Sequence, residues 1–359
     1  MARRRRGHQR RSQSNWGGAI AAFLVGCVIL IVISEIGLRI MLPHWDEFDS
    51  SRFMAPTSVP GYGIVYVGHP DFDGYFAQNN GDFRAHIVIN DFGMRDPDPP
   101  DAADGRLWVV GDSMTFGWGV QRDETFGAVA AREFGVPMYL VASPGTDVCG
   151  YEALYARMPK TIRPKAVVLG LVLENDLEIY RCQRGGAAPA KLPGDAGDWS
   201  FIHIKHWLTG RSALYNAVAQ SLKRAAVVDA WLKSLGLVAK EHAYHIDFSV
   251  DRAAEVVEST ADEIAYLRSM LPEGTPFAVL VVPARFDIRD RDPFYTRLRE
   301  SMDAALSQRG ITAIDPAPEL SAAGFNKVHF AHDGHWTPEG QHIAGSKIAQ
   351  WLTSVLPKP

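Results

Sequence analysis

Cysteine is scarce in this chain, three among 359 residues, which excludes a disulfide-stapled scaffold. The low hydrophobicity and high net charge that mark disorder are also missing, since 47% of residues are hydrophobic and 22% charged. Long uncharged apolar runs are absent apart from one near the N-terminus, which excludes a polytopic membrane protein. No internal repeat is visible. A basic excess is lacking everywhere except at one end. Six of the 37 Lys and Arg residues are arginines within the first 11 positions; the remaining 31 face 41 Asp and Glu, a balance of −10 beneath a whole-chain charge of −4. Such an acidic body argues against nucleic acid as a partner, because a phosphate-binding surface needs basic residues beyond one tail. The arginines read instead as a topology signal.

The segment after the arginines supports that reading. From Trp16 to Ile33, WGGAIAAFLVGCVILIVI runs for 18 residues without a charge, about 27 Å as a helix and close to the thickness of a hydrocarbon core. A cleaved signal peptide has a shorter apolar region and a small-residue cleavage site, whereas this run continues into Ser34-Glu35-Ile36-Gly37-Leu38-Arg39. An uncleaved membrane anchor at 16–42 is expected, behind a cytoplasmic basic tail at 1–15. The alternative is a buried core helix, but few globular helices are apolar all round. By the positive-inside rule everything after about Pro43 faces the far side of the membrane, which in a bacterium is the periplasm. The Arg10-Arg11 pair is discounted as a twin-arginine signal because polar Ser-Gln-Ser-Asn comes after it.

Beyond the anchor, short apolar runs alternate with helical stretches: Leu107-Gly111, Met138-Ala142, Ala166-Leu173, Phe277-Pro283 and Ile311-Asp315. Uninterrupted runs such as AVVLGLVL and FAVLVV suit strands buried on both faces, so the pattern predicts an α/β three-layer domain around a parallel sheet. Two stretches break the alternation. Residues 43–104 are rich in Gly, Pro, Asp and aromatics and end in the linker DPDPPDAADG; irregular or small β structure is expected there. Within the remaining 105–359, about 181–270 reads as an insertion, with helical period around Ile202-Leu208, Ala213-Leu235 and Ala253-Leu271.

The chemistry sits at the strand ends. The first apolar strand runs into Gly111-Asp112-Ser113, where parallel sheets bind ligands. This is not the Gly-x-Ser-x-Gly elbow, since Thr115 occupies the place of the second glycine. The next strand ends in Ser143-Pro-Gly145, where a backbone N–H can approach a substrate and donate to a developing oxyanion. The third ends in Glu174-Asn175-Asp176, whose Asn175 carboxamide can supply a second donor. Taken singly, each is ordinary turn chemistry. A fourth segment, His329-Phe-Ala-His-Asp333-Gly-His335-Trp336, places an aspartate two residues before a histidine, ahead of a final helix from about Glu339 to Leu356.

Together these four blocks, in this order across roughly Leu107 to Leu356, resemble the SGNH/GDSL hydrolase superfamily. The resemblance implies a flavodoxin-like α/β/α sandwich with Ser113 as nucleophile, His335 as base, Asp333 orienting it, and an oxyanion hole from Ser113, Gly145 and Asn175. It extends to membrane-anchored bacterial members through Asn90-Asp-Phe-Gly-Met-Arg95, the turn Gly117-Trp118-Gly119-Val120 and Asp333-Gly-His-Trp-Thr-Pro-Glu-Gly340. Two positions depart from the pattern. Many members place the aspartate three residues before the histidine, and Glu174 stands where a glycine commonly precedes the asparagine. The shorter spacing is similar to that of a distant alginate-acetylating branch, although there the pair precedes the serine in the chain.

The family reading implies no cofactor and no metal, and as substrate an acylated small molecule or polysaccharide. His329, His332, Asp333, His335 and His342 offer metal-ligating chemistry, but their spacing matches no recognised zinc site. Trp118 and Trp336 flank the expected nucleophile and base, where they can either stack on a sugar ring or pack internally. Arg285 can reach the cleft to bind an anionic group, or remain a surface charge. Asp112 is expected to hold the turn or a helix N-terminus. Cys27 lies in the anchor. If the loops after the second and third motif strands are neighbours, as the resemblance implies, an oxidising compartment permits a Cys149–Cys182 bridge beside the oxyanion hole; otherwise both are free thiols. The expected activity is that of a membrane-anchored periplasmic serine esterase or O-acyltransferase. The rival is a catalytically silent domain of the same fold that binds polysaccharide or scaffolds an envelope assembly.

Overall fold

The computed structural model describes residues 16–78, 81–185, 207–208, 210–224 and 252–358. Helix α1, Trp16–Met41, carries the uncharged run. Its Gly18–Met41 stretch has a mean hydropathy of 2.7 and packs none of its most apolar window inside the molecule. By length and composition it can serve as a membrane anchor or as a signal sequence.

The extension after it forms two antiparallel ribbons, β1 (Met54–Val59) with β2 (Gly63–Gly68) and β3 (Asp73–Ala77) with β4 (Arg84–Val88). The main sheet comprises β5 (Leu107–Gly111), β6 (Met138–Ala142), β7 (Ala166–Val172), β8 (Phe277–Val282) and β9 (Thr312–Ile314). All pairings are parallel and the order is β6-β5-β7-β8-β9. Every residue of β5 to β8 is buried, as the continuous apolar runs require of a sheet covered on both faces.

Side chains alternate between two cores. Val167, Leu169 and Leu171 face a cluster with Leu154 of α4 (Val148–Arg157), Ile264 of α6 (Ala253–Ser269) and Met302 of α8 (Pro293–Gln308). Ala166 and Val168 face the other side, with Phe126 of α3 (Phe126–Phe134), Leu320 of α9 (Ala317–Ala323) and Ile348 of α11 (Pro338–Val355). The remaining α-helices with ranges among the described residues are α2 (Ser113–Phe116), α5 (Ala213–Arg224), α7 (Arg285–Asp290) and α10 (Phe325–Val328). Local sequence sets several starts: Asp147 and Asp292 cap α4 and α8, Thr337 caps α11, and Pro293 and Pro338 come directly after the last two caps. Most of the expected 202–208 helix and the 225–235 part of the next lie outside the described residues.

This is a flavodoxin-like three-layer α/β/α sandwich. Its strand order reverses at β5, so the ligand crevice of such sheets opens at the carboxyl ends of β5 and β7. Ser113 and Asn175 stand just past those two ends.

Candidate active site

Gly111 ends β5 opposite Ala142 of β6, which brings the Ser113 turn beside the Ser143–Gly145 turn. A side chain at Gly111 would collide with Thr115 Oγ1, which folds back between β5 and β7. Asp112 caps α2 by accepting from Met114 N at 2.9 Å, and so presents Ser113, half-buried, in the first position of that turn. Asp112 also accepts from Asn175 Nδ2 at 3.1 Å, tying the ends of β5 and β7 together. Burial pushes the Asp112 carboxyl above its ordinary range, against the pull of Asn175 and His335.

The histidine segment is closed by a bridge between His329 and Trp336, with Phe330 N donating to His335 O at 3.1 Å. Within this loop Asp333 accepts from the backbone N of His335 at 2.9 Å and from its Nδ1. The two-residue spacing thus lets one carboxylate hold both the backbone and the ring of the same residue. His335 Nε2 lies 2.8 Å from Ser113 Oγ. Burial works to lower the pKa of His335, but the charge and hydrogen bond of Asp333, reinforced by Asp112, outweigh it and leave it raised. Burial likewise works to raise Asp333, and the charge and bonds of His335 with a bond from Gln78 bring it down to about 2. Asp333 is therefore a carboxylate at neutral pH.

Gly145 is exposed and left-handed (φ 74°), with open space beside its Cα, a conformation that costs any other residue strain. Asn175 is exposed as well; one N–H of its amide serves Asp112 and the second remains for the cleft. Ser113, His335, Asp333, Gly145 and Asn175 therefore gather at one end of the sheet.

The two tryptophans separate. Trp118 is half-buried and stacks on the His335 ring at 5.6 Å between centroids, with its edge against Phe76. Trp336 is 0% exposed and packs by its edge against Phe126, so the sugar-platform reading is corrected for this residue: the bridge turns it into the core. Arg285 is corrected too, from a lone cation to an ion pair with Glu174 at 3.2 Å; the same carboxylate accepts from Arg285 N. The glutamate at the glycine position thus clamps the ends of β7 and β8 and offsets the charge expected to bind an anion.

Apart from the bonded Asp333–His335 pair, the candidate metal ligands take separate partners. His329 is buried against Phe325 and held down to about 3 by burial, while His332 bonds Asp82 and His342 faces Glu133. Cys149 in the first turn of α4 and Cys182 beyond Asn175 are disulfide-bonded, their Cα atoms 5.2 Å apart.

Further contributors come from the extension that precedes the four blocks. Gln78, at the end of β3, donates to Asp333 Oδ2. Asp82 in the same hairpin accepts from His332 N at 2.8 Å, and Phe83 packs on Phe330. Arg95 is 0% exposed and donates to the carbonyls of Phe116, Gly117, Val120 and His86 at 2.7 to 3.1 Å. Burial, with Arg122 nearby, lowers Arg95 to about 9, so it stays charged while gripping the turn that carries Trp118. Asn90 shapes that approach by accepting from Phe92 N and Met94 N. The Asn-x-x-Gly-x-Arg spacing was the available hint for Arg95; no local pattern marks Gln78.

No family model matches the chain, and no curated protein does. Among solved structures it is similar to a member of the lipolytic protein G-D-S-L family from Veillonella parvula, with 13% identity, 69% of this chain and 98% of that one covered, and a TM-score of 0.38. It is similar to the lipase/acylhydrolase from Enterococcus faecalis, with 12% identity, 71% and 98% covered, and a TM-score of 0.40. A third is a carbohydrate esterase family 2 enzyme with a carbohydrate-binding domain from Corynascus thermopiles, with 13% identity, 84% and 88% covered, and a TM-score of 0.41.

Proposed function

We propose that the protein is a serine esterase or O-acyltransferase of SGNH type, anchored in the bacterial inner membrane by α1 with its catalytic domain in the periplasm. The observation that carries the activity is the unbroken chain from Ser113 Oγ through His335 to Asp333. In this reading Ser113 Oγ attacks the ester carbonyl as His335 Nε2 takes its proton, with Asp333 stabilising the imidazolium. The amides of Ser113 and Gly145 and the carboxamide of Asn175 receive the oxyanion, each good donor contributing about 3 kcal/mol. The alcohol leaves with the proton from His335, giving acyl-Ser113. Water then completes hydrolysis, or a sugar hydroxyl completes transfer. Export and the motif resemblance favour a small O-acyl group, such as acetyl on an envelope glycan, as substrate. A catalytically silent domain has no need of a serine in contact with a histidine.

The test is hydrolysis of short acyl esters by the full chain in detergent, compared with Ser113→Ala. A loss of at least about 10³-fold is expected. Equal inactivity of both proteins, with glycan binding retained, would return the reading to a scaffold.

A further inference from the structure

The end of α1 is bonded to the insertion instead of leading into a free tether. Glu35 accepts from Ser212 Oγ at 2.9 Å and from the backbone N of Ala213 and Leu214 at 3.0 and 2.9 Å, so a side chain of α1 satisfies the first amides of α5. Arg39 Nη2 donates to Arg211 O at 2.6 Å. One turn into α5, Asn216 Nδ2 reaches Trp45 O at 3.1 Å, beyond the last residue of α1. Helix α5 therefore starts level with Glu35 and runs in the same sense as α1.

If α1 spans the bilayer, this direction sets the depth of the residues around it. Glu35 lies two residues past Ile33, the end of the uncharged run, about 3 Å further along the helix axis. That is the border of the hydrocarbon. Because α5 runs away from it, Trp207 and Arg211, which precede α5, lie at the membrane surface. Trp207 is 58% exposed, with the Arg211 guanidinium 5.6 Å from its ring centre. An exposed indole at this depth gains by sitting among headgroups, and an adjacent arginine can reach the phosphates.

We infer that Trp207 and Arg211 form a second membrane contact, seated in the headgroup region of the outer leaflet, so that the domain is held on the bilayer at two points. This rests on the anchor reading of α1. The test uses the full chain in nanodiscs whose phospholipids carry bromine near the headgroup end of the acyl chains. The emission that Trp207→Phe removes is the share of Trp207, and loss of most of it to bromine quenching is expected. Trp16→Phe reports the anchor in the same way. Quenching of Trp16 without quenching of Trp207 overturns the second contact and leaves the anchor standing; quenching of neither overturns both. Glu35→Ala is expected to relieve the quenching of Trp207 and to leave that of Trp16 unchanged, and quenching of Trp207 that ignores this substitution overturns the role of Glu35.

Discussion

Gln78 and Asp333 are 255 positions apart, yet the amide of the first donates to the outer carboxylate oxygen of the second. His335 occupies the other oxygen, so the carboxylate is held from both sides. The β3–β4 hairpin, part of the extension that precedes the sheet, is thereby joined to the histidine loop.

Gln78→Ala is expected to lower kcat/KM by about 10-fold to 100-fold, the worth of a hydrogen bond to a charged group. Steady-state kinetics with its pH profile checks this. Without this bond the Asp333 carboxylate is a stronger base toward the His335 imidazolium and the acid limb moves to higher pH, whereas a fold-only role would lower the melting temperature and leave the limb in place.

Activity requires neutral His335. Its pKa is raised above the ordinary 6.5, so kcat/KM falls with decreasing pH through an apparent pKa above that value. In Asp333→Asn the main raising influence is gone and burial acts unopposed by it. The limb then moves below 6.5, while kcat drops by about 10⁴-fold. A wild-type limb at or below the free-imidazole value contradicts the pairing.

Arg95→Met strands the carbonyls that the guanidinium now serves. At about 1–3 kcal/mol for each buried unsatisfied group, a loss of at least about 3 kcal/mol in urea unfolding is expected. Arg95→Lys, which reaches fewer of them, falls between. A change within about 0.5 kcal/mol would mark the site as an ordinary surface position.

The Cys149–Cys182 bridge closes a separation of 33 residues, which on the chain-entropy account stabilises by about 3–4 kcal/mol. The Cys149→Ala/Cys182→Ala protein should unfold at correspondingly lower urea, and reductant should shift the wild type to the same midpoint. Equal midpoints with and without reductant would argue against a stabilising bridge.

The strands were legible because a parallel sheet covered on both faces demands continuous apolar runs, and β5 to β8 sit where those runs fall. Gly-Asp-Ser, the positive-φ Gly145 and the Asp-x-His pair were legible because each is a local device: a cap, a left-handed turn, a loop in which one carboxylate reaches two atoms of one residue. Long-range partnership was not. Nothing near Trp118 or Trp336 says which ring faces the cleft; the His329–Trp336 bridge accompanies Trp336 in the core, and Trp118 is the ring that stacks on His335. Nor does Arg285 announce that Glu174 will offset its charge, since the two meet only when β7 and β8 lie side by side.

The sequence alone determined the uncharged helix behind its arginines, the order of strands and the residue types at their ends, because periodicity, charge and turn chemistry act over a few neighbouring residues. Only the tertiary structure decided which of those residues touch. The grip of Gln78 on Asp333, of Arg95 on the Trp118 turn and of Glu35 on α5 depends on segments distant in sequence folding together, the first two beside a third apolar cluster in which Phe76, Phe83, Phe116 and Phe330 are buried. Burial of that kind rewards total apolar area and shape, and leaves no mark at any single position.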